Sequence, residues 1–267
     1  RHSVALTAGG AVYTWGDNDY GQRGIGQSST PSYQPREILS GEGYASDGTP
    51  ITDNIYAFSH DHTVVAIAAG YTHTLILVDE NTNKNDNGNV YAFGYNYWGS
   101  LGNGTQENAW FPVRVKTTQN TAQAAVDIEH IAGIAAGAYA SYAFTADGQV
   151  YTWGQNTYGQ LADGSAATKL YAAVNYYDHY TDNASDTQEG QTDPNKDFTE
   201  NPENPDVNTG VAWDQDAGYL TDIRSIAVGT EHAVMIRSDG YVLTSGRNDN
   251  GQLGGGQDAL ASVTTPM

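Results

Sequence analysis

Two short stretches of the chain carry the donor chemistry of a metal site. His60-Asp61-His62 sets two imidazoles around a carboxylate at alternating positions. On a strand both imidazoles would point the same way, as a zinc site needs. No third ligand stands nearby, so an ordinary polar surface is expected there. Asn83-Lys84-Asn85-Asp86-Asn87-Gly88 begins like a calcium loop, but Gly94 stands where the closing carboxylate belongs. A hairpin turn is expected instead. Asp214 and Asp216 alternate beside Trp213 without further ligands. Neither a metal nor a cofactor is expected. Gly-x-Ser-x-Gly, a phosphate loop and His-Glu-x-x-His are all absent, and carboxylates are too abundant for any pair to be informative. The chain is therefore expected not to be an enzyme. Asn103-Gly104-Thr105 and Asn183-Ala184-Ser185 match the glycosylation pattern.

Composition narrows the partners. Eleven Lys and Arg stand against thirty-one Asp and Glu, a net charge of −20 over 267 residues. Such a chain repels phosphate backbones and anionic membrane surfaces, so no nucleic acid is expected as a partner. No apolar run is long enough to span a bilayer, and no membrane insertion is expected. The lack of any cysteine excludes disulfides, iron–sulfur clusters, thiolate zinc sites and cysteine nucleophiles. The chain opens at Arg1-His2-Ser3-Val4 without an initiator Met, which is the expectation for an internal cut.

The elements that must position any site come from a repeat. Ala11–Gly26, Asn89–Gly104, Gly148–Gly164 and Tyr241–Gly256 share Gly-x-Asn-x-x-Gly, anchored at Gly16, Gly94, Gly154 and Gly246. A second glycine follows each anchor five residues later, at Gly21, Gly99, Gly159 and Gly251. Upstream, "VVAIAAGYTHTLIL", "IAGIAAGAYASYAF" and "IRSIAVGTEHAVMI" recur in step, beginning at Val64, Ile131 and Ile223. Short apolar runs such as His232–Arg237 and the alternation of Gln149–Trp153 predict strands. Gly9-Gly10, Asp147-Gly148 and Asp239-Gly240 predict tight hairpins between them. Strand–turn–strand–turn without an amphipathic helix predicts an all-β chain, either a β-propeller or a stack of small sheets.

Ala68 to Val115 resembles the repeat of the regulator of chromosome condensation family, and Asp147 to Leu161 is close to its consensus. The resemblance covers the four repeat cores, roughly half of the chain. It implies four-stranded blades, of which about seven usually close a ring. Four repeats are visible, so a slice of a longer propeller is expected rather than a complete four-bladed ring. On this scaffold Trp15, Phe93 and Trp153 are expected to wedge between blades, beside glycines that permit close backbone approach. The motif asparagines are expected to bond their own turn, and Gln160 and Gln252 to tie it to the next strand. Ser245 replaces the aromatic in the last copy, so a smaller wedge with a different contact is expected. His73 and His232 are expected to donate to backbone carbonyls, while Ala140 takes the equivalent place in the third copy.

One propeller segment is expected over residues 1–267, with repeat cores at about 1–26, 64–115, 131–164 and 223–256. Long insertions at 27–63, 116–130 and 165–222 separate them. The third insertion is polar and acidic, yet its ends hold Tyr171, Tyr176, Tyr177, Tyr180, Trp213 and Tyr219 as candidate binding residues. The expected function is a non-catalytic protein-interaction scaffold that binds a protein partner through propeller-face loops. Acidity and Asn/Thr/Tyr-rich connections point to an extracellular or cell-surface setting. The alternative is a building block or adhesin of a surface layer or filament, contacting glycans or assembling with further blades or identical subunits. Exchange activity on a GTPase finds no residue match beyond the blade motif.

Overall fold

The computed structural model describes residues 1–26, 30–38, 63–79, 88–117, 125–175, 220, 222–255 and 262–263. The metal-like stretches at His60–His62 and Asn83–Asn87, the carboxylates Asp214 and Asp216, and Asn183 lie outside the described residues. So do Tyr176, Tyr177, Tyr180, Trp213 and Tyr219.

Among the described residues there are strands and no helix, arranged as four mainly antiparallel sheets in chain order. The first sheet runs β1 (His2–Leu6), β2 (Val12–Gly16), β3 (Ser32–Glu37) from its inner to its outer edge. The second runs β4 (Thr63–Ala69), β5 (His73–Asp79), β6 (Asn89–Gly94), β7 (Ala109–Arg114). A short hairpin follows, β8 (Lys116–Thr117) and β9 (Val126–Asp127). The third sheet is β10 (Ile131–Ala136), β11 (Ala140–Thr145), β12 (Val150–Gly154), β13 (Lys169–Val174). The fourth is β14 (Ile223–Val228), β15 (His232–Arg237), β16 (Val242–Arg247), β17 (Ser262–Val263). Inner-edge strands meet their neighbours in sequence, β1 against β4, β4 against β10 and β10 against β14.

The hairpins fall where glycine supplies positive φ, at Gly10, Gly148 and Gly240. The Thr145 amide bonds the Gln149 carbonyl and the Arg237 amide bonds the Tyr241 carbonyl, closing both turns in the same way. Outer strands have a different origin. β3 and β13 arise within segments that sequence alone marks as insertions, and the hairpin at 116–127 extends the third sheet through a parallel pairing of Thr117 with Ala172. Arg114 pairs with Asp127 across that extension at 3.0 Å. Pro35 and Pro112 sit on outermost strands, where no further ladder hydrogen bond is required of them.

Among the described residues no sheet has a core of its own. Three buried clusters each span two adjacent sheets. Val12, Val64, Ile76 and Phe93 join the first to the second. Leu75, Leu101, Ile131 and Trp153 join the second to the third. Tyr142, Leu161, Ile223 and Met235 join the third to the fourth. Sheets that bury one another's faces in series make a repeat protein, stabilised largely by nearest-neighbour contacts.

The expected aromatic wedges are present at these seams. Phe93 is fully buried against Gly24 of the preceding blade, where a Cβ would lie 2.8 Å from its ring. Trp153 is likewise fully buried against Gly102, and its indole N–H donates to the Ser100 carbonyl at 2.9 Å. Ser245 is buried in the same position of the last blade and donates to the Gln160 carbonyl at 3.3 Å. The contact expected to differ is therefore the same carbonyl seat, met by a hydroxyl instead of an indole. Trp15, in the first blade, is only half-buried. At the opposite end a Cβ on Gly251 or Gly254 would meet open space, whereas Gly21, Gly24, Gly99 and Gly102 are each covered by the next blade.

This asymmetry gives a direct test. Trp153→Ala is expected to lower the unfolding free energy by about 3–5 kcal/mol, the usual cost of emptying a buried aromatic site. Trp15→Ala is expected to cost less than half as much. Urea unfolding of both variants followed by circular dichroism measures the difference, and equal losses would contradict the seam packing.

Candidate functional site

The recurring turn is built by its asparagine. The side-chain oxygens of Asn18, Asn96, Asn156 and Asn248 each accept from the backbone N–H five residues on, all at 2.9 Å. Their own carbonyls accept from Gly21, Gly99, Gly159 and Gly251 at 2.9–3.1 Å. The anchoring glycines are obligatory: Gly94 has φ +111°, and a Cβ there would lie 2.4 Å from the Thr72 carbonyl oxygen. Gly16, Gly154 and Gly246 make the equivalent approach to the carbonyls of Arg1, Tyr139 and Glu231. Gln160 and Gln252 do not reach the next strand. Their side-chain carbonyls accept from the amides of Tyr158 and Asn250 inside the same turn, as Gln22 does from Tyr20. The backbone carbonyl, held outward by this clasp, is what meets the next blade.

Those carbonyls receive hydroxyls rather than imidazoles. Thr74 donates to the Gln22 carbonyl at 2.8 Å and Ser141 to the Ser100 carbonyl at 2.8 Å. His2 bonds Thr74 at 2.7 Å and His73 bonds Ser141 at 2.9 Å, each through Nε2. Since each hydroxyl spends its proton on a carbonyl, the imidazole must donate, so the neutral ring carries its proton on Nε2. The expectation of direct donation to carbonyls is thus corrected for His73: a hydroxyl stands between. Gly70 leaves room for the ring, because a Cβ there would lie 2.3 Å from His73 Cε1. Burial pushes His73 down to about 3 and His2 to about 4.

The three variable positions of Gly-x-Asn-x-x-Gly share a surface with the inner-edge turns. The Tyr95 amide bonds the Thr72 carbonyl at 2.9 Å and the Gln155 amide bonds the Tyr139 carbonyl at 3.0 Å. Turn and loop therefore present their side chains together, and many of these are aromatic. Tyr20 of the first blade meets Tyr95 of the second edge-on, with ring centroids 4.9 Å apart. Tyr95 and Tyr71 both contact Tyr139 of the third blade, at 5.9 and 6.0 Å. Tyr95 stacks with Tyr97, and Tyr97 packs edge-on to Trp98 at 5.1 Å. Tyr97 is 57% exposed and Tyr71 45%. Burial, reinforced by Tyr139, Tyr20 and Tyr97, raises the Tyr95 hydroxyl above its ordinary value, so it remains a hydrogen-bond donor.

Beside this strip lies a cavity of about 480 Å³ at the mouth between the inner strands, lined by Gly70, Tyr71, Gly137, Tyr139, Gly229 and Thr230. Cations already rest on the rim. Arg1 lies 5.0 Å above the Tyr71 ring and Arg247 5.0 Å above Tyr158. Arg247 also pairs with Glu231 at 2.7 Å and with Asp249. No group of three or more His, Asp or Glu side chains is placed to hold a metal among the described residues. The arrangement suits stacking, cation–π contact and hydrogen bonding.

Of the candidate binding residues, the described one is Tyr171. It is half-buried on β13, pairs with Asn103 and covers Gly104 of the preceding blade, so it lies in a seam rather than at a loop tip. Trp15, Gly16, Gly21, Phe93, Gly94, Gly99, Trp153, Gly154, Gly159, Gly246 and Gly251 all occupy the repeating turn or wedge positions. The tyrosine strip escaped the sequence search, although aromatics at the variable letters of two adjacent turns were a usable signal.

Sheets packed in series, sealed by wedges and clasped by a recurring asparagine turn, define a β-propeller repeat protein. The model of the regulator of chromosome condensation (RCC1) repeat matches residues 87–144, and a second model of that repeat matches 1–22, 131–160 and 223–252. The chain belongs to the RCC1 repeat family. Human E3 ubiquitin-protein ligase HERC2 is 27% identical over 255 residues, covering 96% of this chain and 4% of that protein. Ultraviolet-B receptor UVR8 of Arabidopsis thaliana is 29% identical over 170 residues, covering 63% of this chain and 31% of the receptor. The solved structure of yeast RCC1 (Prp20) bound to Kap60 superposes with TM-score 0.62 at 19% identity, over 99% of this chain and 46% of that one. Human WBSCR16 does so with TM-score 0.60 at 20% identity, over 100% and 49%. The chain thus spans about half the length of these solved propellers.

The buried imidazoles make stability depend on acidity. Unfolded histidine takes up a proton near pH 6.5, which folded His2 and His73 refuse until about 4 and 3. Their contribution is complete above pH 6.5 and is lost as the pH falls, by about 1.4 kcal/mol per unit for each residue. His73→Gln is expected to flatten the dependence of urea-unfolding free energy on pH between 6.5 and 5 by about that slope. An unchanged slope would refute the neutral, buried assignment.

Proposed function

We propose that this chain is a non-catalytic protein-interaction scaffold that holds a protein partner on the tyrosine-lined face of its propeller. The observation that carries it is the strip Tyr20–Tyr95–Tyr139–Tyr71, which crosses three blades beside the mouth cavity. Aromatic side chains supply large contact area at low entropic cost and are enriched at binding surfaces. The family setting supports a protein partner, since yeast RCC1 was solved bound to Kap60. The ligase named for HERC2 belongs to a protein of which this chain matches 4%, so that activity is not carried over. The net charge of −20 argues against nucleic acid. The proposed setting, outside the cell or on its surface, draws on the acidity and the Asn/Thr/Tyr-rich connections alone.

A second reading, an assembling building block, is favoured by one observation. Half-buried Trp15 at one end and the uncovered Gly251 and Gly254 at the other are the two halves of the seam used between blades. They suit further blades or an identical subunit joined head to tail.

Peptides selected by phage display on the whole chain, counter-tested on Tyr71→Ala/Tyr97→Ala/Tyr139→Ala, separate the two. The scaffold proposal expects peptides that lose at least about tenfold in affinity on the triple variant, with the melting temperature within a few degrees of wild type. Peptides that bind both equally would overturn it. Concentration-dependent oligomers abolished by Trp15→Ala would favour the building block.

A further inference from the structure

We infer that the tyrosine face takes a segment of its protein partner rich in arginine or lysine, an inference that builds on the docking face proposed above and names the chemistry of its ligand. The face already displays this recognition with its own residues. Arg247 stacks over Tyr158 while Glu231 and Asp249 hold its guanidinium from the side. Arg1 also lies over a ring, that of Tyr71 at 5.0 Å, and is held chiefly by the Tyr71 hydroxyl, with the charge of Asp17 a smaller contribution. A ring beneath and a carboxylate beside is the local environment that favours a guanidinium or ammonium.

Between these two occupied positions lies the middle of the strip. Tyr95 stacks on Tyr97 and meets Tyr139 in a tilted pair, Tyr97 packs edge-on to Trp98, and Tyr97 presents itself largely to solvent. Carboxylates come from the same loops. Asp19 is the turn residue beside Tyr20, and Glu107 follows Gln106, whose side-chain amide donates to the Tyr97 carbonyl. The glycine-rich floor of the mouth leaves space for the aliphatic stem of a long cationic side chain. The chain's charge of −20 adds attraction at longer range.

Sugars also stack on tyrosine, but recognising their hydroxyls takes amide donors and acceptors as well. Here those groups are engaged within the protein. Asn96 Nδ2 donates to Thr105 and Asn103, and Asn156 Nδ2 to Ser165 and Asp163. Ring faces and carboxylates are what the surface offers.

The test titrates three fluorescein-labelled probes into the whole chain: a twelve-residue peptide alternating Arg and Gly, one alternating Glu and Gly, and a neutral β-linked hexasaccharide. Tyr97→Leu/Tyr139→Leu preserves net charge, so bulk attraction is unchanged while the rings are lost. The Arg peptide is expected to bind wild type, to lose about tenfold on the Leu pair and to stay within about twofold on Tyr97→Phe/Tyr139→Phe. Tyr97→Leu alone, at the more exposed ring, serves if the pair fails to fold. Equal binding to wild type and the Leu variants would reduce the effect to net charge and overturn the inference, as would preference for the Glu peptide or the sugar. If displayed peptides dock on the face while the Arg peptide does not bind, the ligand chemistry falls and the docking face stands. If neither docks there, both fall.

Discussion

The whole structure depends on a backbone carbonyl that the turn holds out to its neighbour. In each of the first three blades the asparagine clasp leaves one carbonyl, that of Gln22, Ser100 or Gln160, facing the next sheet. A carbonyl removed from water must be met by a donor or the seam loses the value of a hydrogen bond and more. The next blade meets it with a threonine, a serine or an indole, and packs an aromatic ring or a small side chain around the bond. Since no sheet encloses a core alone, sheet pairing, seam packing and turn geometry stand together.

That dependence explains why the departures from the pattern are tolerated. In the last blade Ala233 replaces the hydroxyl and Ser245 the aromatic, yet the Gln160 carbonyl is still met, by Ser245. Tyr142 adds its own hydroxyl to the same oxygen at 2.7 Å. In the first turn Arg23 takes the place filled by Leu101, Leu161 and Leu253. It is 2% exposed, and its guanidinium donates to the Thr30 carbonyl at 2.9 Å. The seam constrains which donor chemistry is present more than which residue supplies it.

How much of this was legible in the sequence follows from which letters recur. The anchoring glycines, the asparagine and the wedge aromatics perform identical tasks in each copy, so they repeat and their strands and turns could be read. β3 and β13 share no letter at matching positions, because their settings differ: β3 ends its sheet and accepts Pro35, whereas β13, with the apolar run Leu170-Tyr171-Ala172, is paired on both sides, by β12 and β8. The histidines were placed in the blade interior, but the hydroxyl that intercepts His73 lies in the next blade, 68 residues away. Less of the tyrosine strip was legible, for the opposite reason to the wedges. Tyr20, Tyr71, Tyr95, Tyr97 and Tyr139 occupy five different positions of the repeat, and most become neighbours only when blades are set side by side.

The division of labour inside the Gly-x-Asn-x-x-Gly turn has a further consequence. The fixed letters satisfy the fold through glycine backbone and one amide side chain, while the variable letters contribute mainly main-chain groups to it. The turns read Asp-Asp-Tyr, Tyr-Tyr-Trp, Gln-Thr-Tyr and Arg-Asp-Asn at those letters, and the Asn Oδ1 clasp has the same length in all of them. Twelve positions are thereby relieved of forming the turn and held in fixed mutual geometry. Substitution at these letters therefore alters what the face presents while the clasp that forms the turn stays in place.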